Sequence, residues 1–336
     1  MQDAINTINT TKESDPSTRT ATRPSELRAP SAPGVPAVAS LPKTLALCLR
    51  ESRPSVQIVF LLRFTVAFLM SARISGAGLT AFAPAACAWG TATSYVYLVN
   101  GVHDAPEDRM NNNGRPISSG ELPLARARLV SWVLAASALT VAAVSGGWVL
   151  PALVAAQLIC GYAYSAPHLA LKRRTSTAVL DILFLGGLTF AAGWLSGGAA
   201  GELLPVLAFG GAMTLWMGAV GALVKDLSDV RGDTAAGRRT ALVRWGERRA
   251  RTVCAITPVM VGLAYTATAV VAAPRLLPSA LPLLAGALVT ARLVRVTSSD
   301  EPRSRSRLPY RAFMVTQYGA CLAQLGAELV ALRVAG

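Results

Sequence analysis

Nine apolar segments, each about twenty residues long, limit what this chain of 336 residues can fold into. They lie near residues 55–72, 77–99, 127–146, 147–165, 177–196, 203–224, 252–272, 276–296 and 312–333. A helix needs about 20 apolar residues to cross a bilayer. Charged residues make up only 15% of the chain, whereas soluble domains average about 25%. The sequence therefore predicts an all-α integral membrane protein with about nine transmembrane helices.

The first 45 residues differ in composition from the rest of the chain. They are rich in Ser, Thr, Pro and Ala, and they contain almost no large apolar residue before Leu41. Such a segment cannot bury enough apolar surface to fold, and it lacks the central apolar run of a secretory signal. We therefore expect a disordered tail over residues 1–45 and one transmembrane domain over residues 50–335.

The net charge of +14 is distributed unevenly over the loops. If the N-terminus is cytoplasmic and nine helices cross the membrane, 21 Lys and Arg residues of the loops face the cytoplasm. The opposite side then carries only Arg73, Arg275 and Arg333. This asymmetry follows the positive-inside rule for membrane proteins. The basic charge therefore predicts a multi-pass protein of the cell membrane with a cytoplasmic N-terminus, and its partner is the lipid bilayer rather than a nucleic acid.

Two acidic motifs end hydrophobic segments at corresponding places in the chain. The first consists of Asn100, Asp104 and Asp108 after the second segment, and the second consists of Asp226, Asp229 and Asp233 after the sixth. Each spacing places its side chains on one helical face. A carboxylate in hydrocarbon is costly, so that two such motifs indicate a polar cavity. Oxygen ligands of this kind favour Mg²⁺, which commonly shares its coordination shell with a substrate phosphate.

The alternative interpretation of each motif is an ordinary solvated helix end with basic neighbours. Both motifs fall on the same side of the nine predicted helices, which favours two helical halves that face each other across a central cavity. Pro106 lies inside the first motif. Because proline removes a helical hydrogen bond, we expect the helix to kink or end there.

The paired motifs, NxxxDxxxD and DxxDxxxD, resemble those of the UbiA superfamily of intramembrane prenyltransferases. The resemblance extends over residues 50–335. Supporting matches are the pair Arg53-Pro54, the sequence DRMNNNGRPISSG that begins at Asp108, and the Tyr-rich sequence between Tyr162 and Lys172. One position departs from the pattern, because this chain has Gly101 where many members have Asp.

The resemblance implies Mg²⁺-dependent transfer of a prenyl group from a prenyl diphosphate to an aromatic or other lipophilic acceptor, through an allylic carbocation with release of pyrophosphate. It implies that both motifs bind Mg²⁺ and that Asp104, Asp108, Asp229 and Asp233 act in catalysis. Basic candidates for the diphosphate are Arg53, Arg109, Arg115, Lys172, Arg173 and Lys225. Each of these could instead be a positive-inside anchor.

Aromatic and ionisable residues in the segments give further candidates. Tyr162 is also a candidate for substrate binding. The aromatic side chains that could stabilise a carbocation through their ring faces, or that could be interfacial or packing residues, are Tyr162, Tyr164, Trp89, Trp194 and Trp216. Asp181 lies within the fifth segment, where an ionisable residue is a functional candidate. It could bind or deprotonate the acceptor, or it could pair with an arginine, for which Arg63 is the candidate.

Two other functions compete with prenyl transfer. A membrane terpene cyclase of the same superfamily would ionise the same diphosphate and let an internal double bond attack. An ion-coupled transporter would use the carboxylates as coupling-ion sites, but such sites lie near the bilayer midplane. Both motifs lie at segment ends, which disfavours the transporter. Transfer is the leading hypothesis, and the choice between transfer and cyclisation, the acceptor and the prenyl chain length are left open.

Overall fold

A computed structural model describes residues 40–71, 76–110, 114–145, 147–235 and 237–335 of the chain. The regular elements within these ranges are helices. In chain order they are α1 (Leu41–Glu51), α2 (Pro54–Ser71), α3 (Gly76–Met110), α4 (Leu124–Val144), α5 (Val149–Ser165), α6 (Thr175–Ser196), α7 (Leu203–Leu215), α8 (Ala222–Ala235), α9 (Ala241–Trp245), α10 (Glu247–Val271), α11 (Leu277–Val296), α12 (Arg303–Ser306) and α13 (Leu308–Ala335). A π-helical segment, Trp216–Gly221, joins α7 to α8 without a break. The predicted all-α class is confirmed.

Eight of the nine predicted apolar segments overlap a single helix, and the segment near 203–224 spans α7, the π-helical segment and the start of α8. Six helical stretches in the described residues are long and apolar enough to cross a membrane, and α5 is a shorter apolar helix. The six are Pro54–Ser71, Leu124–Val144, Thr175–Ser196, Leu203–Val230, Glu247–Val271 and Pro274–Val296. The count of nine crossings stays a prediction.

Two hydrophobic cores organise the helices. The first is built by α2 to α6 around residues such as Phe64 and Trp89. The second is built by α7, α8, α10, α11 and α13 around residues such as Phe209 and Trp216, and it includes side chains of α2 and α6. The helices α2 and α6 therefore belong to both cores and join the two halves of the bundle.

Helix α1 corrects the predicted boundary of the N-terminal tail. The first 39 residues of that tail lie outside the described part of the chain, but α1 begins at Leu41 rather than after residue 45. Its buried residues, Thr44, Leu47, Cys48 and Glu51, follow the spacing of one helical face. That face packs on α3 and α4, beside Leu98 and Ile117, so that the helix is stabilised by contacts that composition does not reveal.

Helix α3 does not end at Pro106, which was one of the two alternatives, a kink or an end, expected there. The helix runs from Gly76 to Met110 and contains both Pro84 and Pro106. A proline removes one backbone hydrogen bond, and the rest of α3 continues on both sides of it. All three side chains of the first acidic motif therefore project from one continuous helix.

Candidate active site

A cavity lies between the two halves of the bundle. It encloses about 990 Å³ of empty space when its opening is included. Its charged end, called the mouth here, is lined by Arg53, Asn100, Asp104, Lys172, Lys225 and Arg238. Its other end, called the inner end, is lined mainly by apolar and aromatic side chains, among them Phe60, Val96, Leu185 and Phe313, together with Gln157 and Asp181.

Asp104 of α3 is the carboxylate on which the mouth is centred. The Lys172 ammonium group, which follows α5 in the chain, is ion-paired with Asp104 Oδ1. The Arg238 guanidinium also approaches Asp104 Oδ1, with Nη2 at 3.1 Å. Asn100, one turn earlier in α3, donates its amide Nδ2 to Ser165 Oγ at 3.2 Å. This hydrogen bond uses the amide nitrogen, so that a cation would meet the amide oxygen.

Arg238 connects the two acidic motifs. Besides Asp104, its guanidinium pairs with Glu107 and places Nη1 3.4 Å from Asp233 Oδ1. One cation thus lies between a carboxylate of the first motif and a carboxylate of the second. The sequence analysis missed this role, because Arg238 is one of several basic residues in a polar loop and no spacing distinguishes it.

The second motif lies on α8 at the same end of the bundle. Asp229 accepts an ion pair from Arg303 Nη2 at 2.9 Å, and Lys225 lines the mouth. Burial raises the pKa of Asp233 to about 6, with a contribution from the nearby carboxylates Asp229 and Asp104 and with Lys225 acting in the opposite direction. Asp226 forms no ion pair within the ranges that the structure describes.

A second ionic cluster lies behind the mouth. Arg115 Nη1 binds Asp108 Oδ2 at 2.6 Å, and its Nη2 binds Glu51 Oε1 at 2.7 Å. The buried Glu51 carboxylate also accepts a hydrogen bond from the Ile117 amide at 3.0 Å. A Cβ atom at Gly101 would collide with the Glu51 side chain. The departure from the family pattern at Gly101 therefore makes room for a carboxylate supplied by α1.

Arg53 lies in the mouth because of an unusual backbone conformation. It precedes Pro54, the first residue of α2, and its φ is +57°. A left-handed conformation is uncommon for a residue other than glycine, and such conformations cluster at functional sites. The conformation ends α1 and begins α2 within two residues, and it brings the Arg53 side chain to the cavity.

The inner end is shaped by a π-helical segment and a close contact. A Cβ atom at Gly221 would collide with the Phe313 ring, so that glycine lets Phe313 form part of the wall. The Phe313 ring stacks on Trp216, with ring centroids 6.0 Å apart, and lies 5.6 Å from the ring of Tyr310. Irregular π-helical turns are frequent at functional sites. The result is an aromatic wall along the inner end of the cavity.

Asp181 and Arg63 do not form the pair that the sequence allowed. Arg63 is fully buried and donates through Nη2 to the Met213 carbonyl at 2.9 Å and to Gln317 Oε1 at 2.8 Å. Asp181 lines the cavity, and its Oδ2 has no hydrogen-bond partner among the described residues. The alternative that Asp181 pairs with Arg63 is therefore excluded, since Arg63 is bound to α7 and α13.

Four predicted substrate-binding residues do not line the cavity. Arg109 is exposed and donates to the Ser118 carbonyl at 3.3 Å. Arg173 is exposed, and its carbonyl accepts from the Arg239 amide at 3.0 Å. Tyr162 is 38% exposed, whereas Tyr164, two residues later, lines the cavity. Arg115 also lies behind the mouth, where it orients Asp108.

The carboxylate and amide oxygens of the mouth are ligands that suit a divalent cation, although they are not arranged as a preformed metal site. No group of three His, Cys, Asp or Glu residues in the described ranges is arranged to hold a metal ion. Asp104, Asp229 and Asp233 instead contact the side chains of Lys172, Arg303 and Arg238. The Arg238 guanidinium lies between Asp104 of the first motif and Asp233 of the second. A metal ion bound at this position would be neutralised by carboxylates of both motifs.

Fold and site together define a multi-pass membrane protein with a cavity that is charged at one end and apolar at the other. The chain belongs to the UbiA prenyltransferase family, whose model matches residues 60–316. This confirms the resemblance that the two acidic motifs indicated.

Individual relatives agree with this family. The chain is 30% identical over 168 residues to a homogentisate geranylgeranyltransferase of Hordeum vulgare, which covers 48% of this chain and 41% of the relative. It is 33% identical over 167 residues to a digeranylgeranylglyceryl phosphate synthase of Halobacterium salinarum, which covers 49% and 57%. The chain thus spans about half the length of the curated relatives that it matches.

A solved structure shares the fold. A UbiA homolog from Archaeoglobus fulgidus, bound to DMAPP and Mg²⁺, superposes with a TM-score of 0.59 at 18% identity. The superposition covers 82% of this chain and 99% of that one.

Proposed function

We propose that this protein transfers a prenyl group from a prenyl diphosphate to a lipophilic acceptor within the membrane, with Mg²⁺ as cofactor. The observation that carries the proposal is the division of one cavity into a charged mouth and an apolar inner end. A prenyl diphosphate has the same division, since it joins a highly charged group to a hydrocarbon chain. Family membership supports the same activity.

The basic residues of the mouth would bind the diphosphate. Arg53, Lys172, Lys225 and Arg238 all line it. Arginine suits bidentate contact with phosphate oxygens, whereas lysine acts as a point charge. Lys172 and Arg238 now pair with carboxylates, and a bound diphosphate with its metal would exchange those partners for phosphate oxygens.

The two acidic motifs would hold the metal. The candidate ligands are Asn100, Asp104 and Asp108 on α3 and Asp226, Asp229 and Asp233 on α8. Mg²⁺ prefers such oxygen ligands and would neutralise the charge that develops on the departing pyrophosphate. The solved relative bound to DMAPP and Mg²⁺ supports this assignment by fold.

The inner end would protect the allylic cation that remains. Phe60, Tyr97, Tyr164 and Phe313 line the cavity with aromatic rings. Aromatic ring faces attract cations, and a wall without water removes the competing nucleophile. The acceptor then becomes the group that attacks the cation.

The orientation of the protein is part of the proposal. The Lys and Arg bias of the loops supports a cytoplasmic N-terminus and a mouth that opens to the cytoplasm, in the cell membrane. Both motifs would then meet a water-soluble diphosphate and Mg²⁺ from the same side.

The test is incubation of the purified protein with Mg²⁺ and a series of prenyl diphosphates of increasing length, with and without aromatic acceptors. Pyrophosphate release that requires the acceptor supports transfer. Release without an acceptor, together with a cyclic hydrocarbon product, would replace transfer by terpene cyclisation. Absence of release with every donor, together with ion-driven uptake in vesicles, would favour the transporter hypothesis instead.

A further inference from the structure

A buried carboxylate of α1 fills the space beside Gly101 of α3. Glu51 is the last residue of α1, and its side chain is inaccessible to solvent. A Cβ atom at Gly101 would collide with the Glu51 Oε1 atom. The Glu51 carboxylate therefore lies where a side chain at position 101 would begin. Position 101 directly follows Asn100, the first residue of the first acidic motif.

The Glu51 carboxylate reaches Asp108 of the same motif through Arg115. One edge of the guanidinium contacts Asp108, with Nη1 2.6 Å from Oδ2. The other edge contacts Glu51, with Nη2 2.7 Å from Oε1 and 2.8 Å from the Glu51 carbonyl oxygen. The three side chains are at most 11% exposed, so that water and salt screen their charges only weakly. Arg115 is thus shared between two buried carboxylates.

This sharing matters because an arginine and a metal ion compete for the oxygens of the same carboxylate. Asp108 is one of the candidate ligands of the proposed Mg²⁺ site. If Glu51 were neutral, the whole charge of Arg115 would act on Asp108 and oppose a cation bound there. The Glu51 carboxylate offsets that charge and holds the guanidinium by its second edge. Side chains that contact a metal ligand in this way affect metal affinity without contacting the metal.

We infer that Glu51 is a positioning residue for the metal site, and that α1 supplies a negative charge which α3 lacks at Gly101. Glu51 acts through Arg115, whose orientation and charge it controls. The inference rests on the proposed Mg²⁺-dependent function and assigns a role in it to a helix outside both motifs. The competing explanation is that Glu51 only fixes the chain, since its Oε2 also accepts the Ile117 amide at 3.0 Å.

The two explanations differ in whether the carboxylate can be moved from α1 to α3. Glu51→Ala empties the space beside Gly101, and Gly101→Asp refills it with a carboxylate. Because the Cβ position of Gly101 coincides with the oxygen that contacts Arg115, the introduced carboxylate can reach the same guanidinium. Gly101→Asn introduces a side chain of the same shape without the charge. The two double variants therefore differ in charge and share the same packing.

The test measures the Mg²⁺ concentration that half-saturates the binding of a non-reactive prenyl thiodiphosphate. Titration calorimetry on the full-length protein in detergent gives this value without turnover. We expect Glu51→Gln and Glu51→Ala to raise it by about 10–100-fold, the usual effect of losing a residue that orients a metal ligand. Glu121→Gln is the matched control and should leave the value unchanged, since Glu121 joins the loop after Arg115 to α1 through an exposed ion pair with Arg50.

The double variants decide between charge and packing. Glu51→Ala with Gly101→Asp should bring the Mg²⁺ requirement back to within about 3-fold of the wild-type value. Glu51→Ala with Gly101→Asn should stay as weak as Glu51→Ala alone. The unfolding temperature without Mg²⁺ is measured on the same samples, and it should be similar in the two double variants because their packing is the same.

Three results would overturn the inference. They are a folded Glu51→Gln variant with the wild-type Mg²⁺ requirement, two double variants with the same requirement, and a Glu51→Ala, Gly101→Asp variant that does not fold. If the single variants do not fold, the double variants still decide. A wild-type protein that does not bind the thiodiphosphate with Mg²⁺ would instead remove the proposed function itself. Normal wild-type binding with any of the three results removes only the role of Glu51.

Discussion

The mouth and the inner end of the cavity treat buried polar atoms in opposite ways. In the mouth, Asp104, Asp229 and Asp233 are each paired with a lysine or an arginine. In the inner end, Asp181 and Gln157 keep acceptor atoms without any donor from the described residues. In the mouth, a metal ion can replace the lysine and arginine partners of the carboxylates, and a diphosphate can replace the carboxylate partners of the basic side chains. The unpaired acceptors of the inner end have no such partner among the described residues to exchange.

The largest effect is expected from removing a mouth carboxylate. Asp104→Ala and Asp229→Ala should each lower Mg²⁺-dependent pyrophosphate release by about 1,000-fold or more, because each removes charge that would offset the metal at the site of bond cleavage. The measurement is turnover by protein that elutes as a folded species in detergent. Asp300→Ala, on an exposed loop, is the control. Near-normal turnover of either variant at saturating Mg²⁺ would remove the two-motif site from the proposal.

A smaller effect in the mouth is expected from Arg238→Ala. Arg238 contacts carboxylates of both motifs and would contact the diphosphate in their place. We expect the dissociation constant of a prenyl thiodiphosphate to rise by about 10–100-fold, which is the usual effect of losing a hydrogen bond to a charged group. Arg239→Ala is the matched control, since the neighbouring Arg239 side chain is exposed. Equal affinities of the two variants would show that Arg238 serves only the structure of the loop.

The inner end should respond to changes of shape rather than of charge. Gly221→Ala forces the Phe313 ring to move, and overpacking of this kind costs about 1–3 kcal/mol. We expect turnover of a long prenyl diphosphate to fall by about 10-fold and turnover of the shortest donor by less than about 2-fold. Gly211→Ala in α7 has no atom near the added methyl group and serves as the control. A uniform loss with all donors would argue that Phe313 does not line the path of the chain.

The smallest effect is expected from the N-terminal residues. Deletion of residues 2–39 should change specific activity by less than about 2-fold, since the cavity-lining residues begin at Arg53. The measurement compares turnover per mole of purified protein, with the full-length chain as reference. A large loss would show that this segment contributes to the mouth.

Local sequence patterns were sufficient to predict many of the residues that line the mouth. The spacing of Asn100, Asp104 and Asp108 predicted one helical face, and α3 provides it. Lys172 and Lys225, two of the basic candidates for the diphosphate, line the mouth. The sequence analysis selected Tyr162 as a substrate-binding residue, whereas Tyr164 lines the cavity. Residues two apart lie about 200° apart on a helix, and only the packing of α5 decides which of them faces the cavity.

Other features depend on contacts between distant parts of the chain. Glu51 has no motif of its own, yet it lies beside Gly101 and binds Arg115. Arg238 joins two motifs from a loop whose basic residues look alike in the sequence. Asp181 was a candidate with two possible partners, and the structure removed one of them because Arg63 is already bound to α7 and α13.

The sequence by itself determined the membrane class, the helices and the family. The length of an apolar segment and the spacing of carboxylates are local properties, so that both can be read directly from the order of residues. Only the tertiary structure decided which charges meet and which remain unpaired. Pairing depends on distances of a few ångströms between side chains far apart in the chain, and these distances are set by how α2 and α6 join the two halves of the bundle. The charged mouth could therefore be predicted from the sequence, whereas the unpaired acceptors of the inner end were found only in the folded molecule.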